Sequence, residues 1–218
     1  AFTKLASPAR GGPLDPPAGP ISPTGRTTGE VFDRVEAAEA LLRDRIVRTD
    51  AGIAEPRIPV QSLPGSATAT FVISQPGSYC LTGNIQGAPK KNAIEVTASD
   101  VTLDLGGHAV VGAGAAGIIS VGVAGGILVR NGVVRECGTF GVDLQGADGN
   151  GFGSAIHELR CSANCGTGIR VRYGVVESCV VSGSGGDGIF GVIAKIRNCW
   201  TGLNHGGSGI SAGFGSLI

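Results

Sequence analysis

The chain has no methionine in 218 residues and few aromatics, with one Trp, two Tyr and seven Phe making up 5%. A core built on large rings is excluded. Its apolar volume must come from Val, Ile, Leu and Ala, side chains that stack well in a thin β layer. Charge is also sparse, at 16% of residues, and 17 basic side chains cancel 17 acidic ones. No global field draws such a protein to nucleic acid or to an anionic membrane. No apolar run approaches the roughly 20 residues that cross a bilayer as a helix, so no transmembrane segment is expected. Methionine is missing even at position 1, which is Ala1. The expectation is a chain from which an initiator and a signal peptide were removed, hence a secreted protein, extracellular or at the cell surface. No Asn-x-Ser/Thr sequon occurs.

What the chain has in abundance is glycine, 39 residues. There is no Gly-X-Y period, which excludes collagen. A hydrophobic content of 42% is too high for a disordered chain. The glycines instead mark a repeat. A small residue followed by an aliphatic one recurs at Ala93-Ile94, Gly117-Ile118, Gly141-Val142, Gly168-Ile169, Gly188-Ile189 and Gly209-Ile210. The aliphatic anchors are 24, 24, 27, 20 and 21 residues apart. A period in the twenties with strand-like alternation and no heptads is the signature of a solenoid. Each repeat has a second apolar stretch, at Ile127-Val129, Ile156-Leu159, Val176-Cys179 and Ile196-Cys199. The fold expected is all-β, a parallel β-helix of about six or seven coils over residues 65–218.

Residues 1–64 read differently. Pro13, Pro16, Pro17, Pro20 and Pro23 lie among Gly, Ser and Ala, an extended polyproline-like arm. Thr27 and Glu30 fit a capping box, which opens a helix. Behind it Val31, Val35, Ala38 and Leu42 recur at three- and four-residue spacing. The prediction is an amphipathic α-helix over about 29–48 with one face to bury.

The string Phe71-Val72-Ile73-Ser74-Gln75-Pro76-Gly77-Ser78-Tyr79-Cys80-Leu81, followed by Val101-Thr102-Leu103-Asp104-Leu105-Gly106-Gly107, resembles bacterial exported proteins with right-handed parallel β-helix repeats. These are distant relatives of the pectate-lyase-like fold. The resemblance covers about residues 55–218 and implies a right-handed parallel β-helix. It implies little about activity, because one fold hosts many functions.

If the anchors point inward, the residues after them form outward columns: Glu95, Ile119, Asp143, Arg170, Phe190, and Thr97, Val121, Gln145, Arg172, Val192. Asp143 and Arg170 then suit an ion pair between adjacent coils. Asp143, Asp148, Arg170 and Arg172 are the best candidates for a carbohydrate-binding face, although Asp148 lies in Gly146-Ala147-Asp148-Gly149-Asn150-Gly151, an ordinary turn. Adjacent catalytic aspartates are absent. His108, His157 and His205 form no metal motif, and no cofactor is implied. Among six cysteines, Cys179 and Cys199 fall in nearly the same inward column. Cys137 and Cys165 are turn neighbours on successive coils and could be bridged.

The leading expectation for function is a secreted structural or interaction protein. It would form a homo-oligomer or filament through the β-helix ends and the N-terminal arm, with Val31, Val35, Leu42, Phe190 and Val192 as interface candidates. The alternative is a protein that binds or cleaves polysaccharide.

Overall fold

The computed structural model describes residue 40 and residues 57–122, 124–146 and 152–218. Ala40 is helical and exposed, and it lies off the apolar stripe expected of that stretch. The proline-rich arm and the rest of the expected helix lie outside the described residues.

The rest is an all-β parallel solenoid of about six turns. One wall is a seven-stranded parallel sheet, running from Ala69–Ile73 through Asn92–Val96, Ile118–Ser120, Val142–Leu144, Ile169–Arg172 and Ile189–Val192 to Ile210–Ala212. The anchor column stacks in it as expected, with Ile94 on Ile118, Ile118 on Val142, Val142 on Ile169, Ile169 on Ile189 and Ile189 on Ile210. All but Ile210 are fully buried. The remaining strands form an eleven-stranded sheet. Its stack begins upstream of residue 65, with Ile58–Pro59 pairing Tyr79 and Cys80.

The sheets close around the core because each coil turns at sharp corners with left-handed backbone. One corner stacks Asn131, Glu158, Ser178 and Asn198, with φ between 51° and 57°. A second stacks Gly112, Glu136, Ala163, Gly183 and Leu203, and a third stacks Gly126, Gly153, Tyr173 and Ile193. Left-handed backbone costs an ordinary L-residue about 1–2 kcal/mol. The stack imposes it at these positions, because each corner sits between backbone hydrogen bonds to the coils on either side. Ser178 N–H donates to Arg197 O at 3.2 Å, and Ala163 N–H to Ser182 O at 3.0 Å.

Inside the turns runs a polar column, Cys137, Asn164, Ser184 and Asn204. Asn164 Oδ1 accepts Cys137 N–H at 3.1 Å, and Asn204 Oδ1 accepts Ser184 N–H at 3.1 Å. Asn164 and Ser184 are buried. These side chains satisfy donors that a wider turn would leave unpaired in the core. On the outer face of the larger sheet, Leu128, Ala155 and Val175 stack in register. They form a small apolar cluster apart from the core.

Candidate functional site

Two outward faces carry the polar chemistry. On the seven-stranded wall, Glu95, Ile119, Asp143, Arg170 and Phe190 stack one above another. Arg170 Nη2 donates to Asp143 Oδ2 at 2.8 Å, the ion pair expected from the repeat register. The Arg170 guanidinium also lies over the Phe140 ring, 4.0 Å from its centroid. Asp143 is buried, and its other oxygen accepts Gln145 N–H at 3.2 Å. Burial pushes its carboxyl up, and Arg170 draws it back. Glu95, two coils away, accepts from Asn92 Nδ2 at 2.8 Å and Thr68 Oγ1 at 3.1 Å.

Arg172 points its guanidinium at Tyr173, 5.4 Å from the ring centroid. Tyr173 stacks on Phe152 at 4.4 Å, and Phe152 is 57% exposed. This aromatic pair beside Arg172 is a feature that the sequence did not suggest. Asp148 lies outside the described residues, as do Val31, Val35 and Leu42. Phe190 and Val192 are half-buried on this wall. The Asp143–Arg170 pair separates Phe190 from Ile119 in the stack, so the outward apolar residues do not form one patch.

The expected Cys137–Cys165 bridge is absent, and all six cysteines are free thiols. The two are on adjacent coils, with Cys165 N–H donating to Cys137 O at 2.8 Å. Cys137 stacks on Asn164, however, one position out of step with Cys165. Cys137 is buried and Cys165 exposed. Burial pushes the Cys137 thiol up to about 11.

The second face is a charged ladder that the sequence reading missed. Cys80, Asp104, Arg130, His157, Glu177 and Arg197 stack in register on the larger sheet. Asp104 Oδ2 meets Arg57 at 2.9 Å and Arg130 at 3.0 Å. Glu177 meets His157 Nε2 at 2.6 Å and Arg197 Nε at 2.8 Å. Each of the last four members follows an inward aliphatic residue and precedes a corner: Val129-Arg130-Asn131, Ile156-His157-Glu158, Val176-Glu177-Ser178 and Ile196-Arg197-Asn198. That signal lies in the second apolar column of the repeat, one residue on.

Arg197 holds the Glu177 carboxyl below the usual carboxylate range, partial burial opposes this, and the charge of His157 adds to the lowering. A depressed carboxylate stabilises the fold above its unfolded-state pKa, and that contribution is lost as pH falls through the folded value. Glu177→Gln is therefore expected to lower stability at pH 7, measured by urea denaturation, by about 1 kcal/mol or less for a part-exposed network. Variant and wild type should converge in acid, below roughly pH 4. Equal midpoints at pH 7 would show that the ladder contributes nothing to stability.

Among the described residues neither face has the geometry of a glycosidase, which needs two carboxylates flanking one bond. Asp104 and Glu177 are three coils apart, about 14 Å at β spacing, and each is held by arginine. Glu95 and Asp143 are nearer, about 10 Å by the same spacing, with Ile119 between them and their oxygens already engaged. Among the described residues no group of His, Cys, Asp or Glu is placed to hold a metal ion. No described helix is long and apolar enough to cross a membrane. The chain matches no protein-family model, no curated protein and no solved structure. Function must therefore be argued from these surfaces.

Proposed function

We propose that the protein is an exported structural or interaction protein that associates with copies of itself, built on a right-handed β-helix of the pectate-lyase-like kind. One observation carries the association: an apolar surface on the last turns. Val180 and Trp200 are stacked outward neighbours, 37% and 56% exposed, and Leu203 at the next corner is 79% exposed. An exposed ring stacked on an exposed aliphatic residue, with Leu203 three residues on, marks a surface that another molecule covers.

The two ends of the stack differ in a way that supports the same reading. The first strand contains Pro59 and runs into a short 3-10 turn, Val60–Ser62. Proline at an edge removes a donor and blunts pairing. Among the described residues the Trp200–Gly202 strand pairs on one side only, and no proline blunts it. Contact between unlike ends repeats head to tail and gives a filament unless it closes into a ring. The N-terminal arm and the amphipathic stripe of Val31, Val35 and Leu42 belong to the proposal as a second contact, supported by the sequence pattern. The extracellular setting rests on the sequence resemblance.

Light scattering across a wide concentration range tests this. The full chain is expected to grow in mass with concentration, while Trp200→Glu with Leu203→Glu remains monomeric and folded. Deletion of residues 1–48 is expected to weaken the association. A full chain that stays monomeric throughout would sink the reading.

Carbohydrate binding is the second reading, and Phe152 stacked on Tyr173 beside Arg172 favours it. An exposed ring pair next to a guanidinium suits the face of an acidic sugar. Acidic oligosaccharides that bind the wild type but not Phe152→Ala would support it.

A further inference from the structure

Register brings one cysteine pair together. Glu177 pairs Arg197 and Val180 pairs Trp200, which sets Cys179 directly on Cys199. The backbone confirms the stacking, with Trp200 N–H donating to Cys179 O at 2.9 Å. Cys179 is fully buried in the core, and Cys199 packs against the core from a half-buried position. Both thiols repeat one arrangement, a coil apart. Cys179 Sγ donates to Glu177 O at 3.2 Å and Cys199 Sγ to Arg197 O at 3.2 Å. No other two of the six cysteines occupy the same position on adjacent coils. Cys137 stacks on Asn164, and Cys161 lies between Val134 and Val181.

Stacked residues on neighbouring parallel strands have Cα atoms about 4.8 Å apart, inside the range that disulfides span. We propose that Cys179 and Cys199 form a redox pair that closes to a disulfide between coils by exchange with a small disulfide such as oxidised glutathione.

The two thiols have unequal roles. Cys199 is half-buried and Cys179 fully buried, so Cys199 is the more reachable of the two. The neighbouring Cys179 thiol draws it down to about 7, against the effect of burial. The nearness of Cys199, with burial, pushes Cys179 up. Cys199 is therefore the attacking thiolate near neutral pH, and Cys179 is the resolving thiol. The Cys199 thiolate attacks one sulfur of glutathione disulfide, that S–S bond breaks, and one glutathione thiolate leaves. Cys179 then gives its proton to the departing thiolate and attacks Cys199 Sγ, which expels the second glutathione. Two electrons pass from the protein thiols to glutathione disulfide, leaving one protein disulfide and two molecules of glutathione.

The test is to equilibrate the full chain in glutathione buffers, block remaining thiols in denaturant and digest with trypsin. Cleavage after Arg172, Lys195 and Arg197 places Cys179 and Cys199 in different peptides. The oxidised protein should yield peptides 173–195 and 198–218 linked, with four thiols blocked out of six. It should melt higher than the reduced protein by about 6–12 °C, the stabilisation typical of a loop near 20 residues in a domain of this size. Cys199→Ser should fold and show neither the link nor the shift. Cys179→Ala should stop at a mixed disulfide on Cys199. Six blocked thiols under strongly oxidising buffer would overturn the proposal, as would a link between 136–160 and 161–170 in place of this one. A bridge between two chains would overturn it equally.

Discussion

Ile169→Asp is expected to leave no folded protein. Ile169 is fully buried, stacked between Val142 and Ile189 in the middle of the anchor column. A carboxylate there has no cation within the core to meet it. Burying an unpaired charge costs far more than a lost methyl group, and even the protonated acid loses its hydrogen bonds to water. Penalties above about 4–5 kcal/mol compare with the whole stability of an ordinary domain. A solenoid is sensitive at this point because each coil contacts only its neighbours, so a failed middle coil separates the two halves. Far-UV circular dichroism of soluble protein reads the outcome, and Ile169→Val serves as the control, with a loss of about 1 kcal/mol. An Ile169→Asp variant that is soluble and folded would show that this column does not face the core.

The anchor column was legible in the sequence because inward positions admit few residue types. Ile or Val recurs, and the interval between them gives the length of each coil. Corners were less legible. Asn131, Glu158, Ser178 and Asn198 share one left-handed conformation but not one residue type. The stacked backbone imposes the conformation, and the residue type only tolerates it. The charged ladder was hidden for a related reason. Asp104, Arg130, His157, Glu177 and Arg197 are each 20 to 27 residues from the next, and the unequal intervals conceal the column until strands are paired. Asp143 and Arg170 were found because their register follows directly from the anchors. The Phe152–Tyr173 stack could not be read, since it joins a loop to a corner outside any counted column. The cysteines show how much one residue of register matters: Cys137 and Cys165 are close in the count, yet the turn column pairs Cys137 with Asn164.

Glycine before the anchor is where sequence pattern and energetics meet most directly, and Gly168→Ala is expected to destabilise by about 1–3 kcal/mol. A methyl group built on Gly168 would run into Val181 Cγ1, and would lie 2.8 Å from both Gly188 O and Ser184 Oγ. One of these is backbone of the next coil, which cannot move without breaking the hydrogen bond from Ile169 N–H to Gly188 O. Val181 is itself fully buried, so it has no space to retreat. The wall and the turn column approach each other most closely here, and that approach selects the small residue that precedes each aliphatic anchor. Gly83 is the contrast, because a methyl group there meets nothing within 4 Å and its backbone is not left-handed. Gly83→Ala is expected to stabilise by about 0.4–1 kcal/mol, through reduced freedom of the unfolded chain. Urea denaturation of both variants measures the difference. The same chemical change should therefore move the midpoint in opposite directions at the two sites. Equal shifts would mean that the coils are not packed as closely as the register requires.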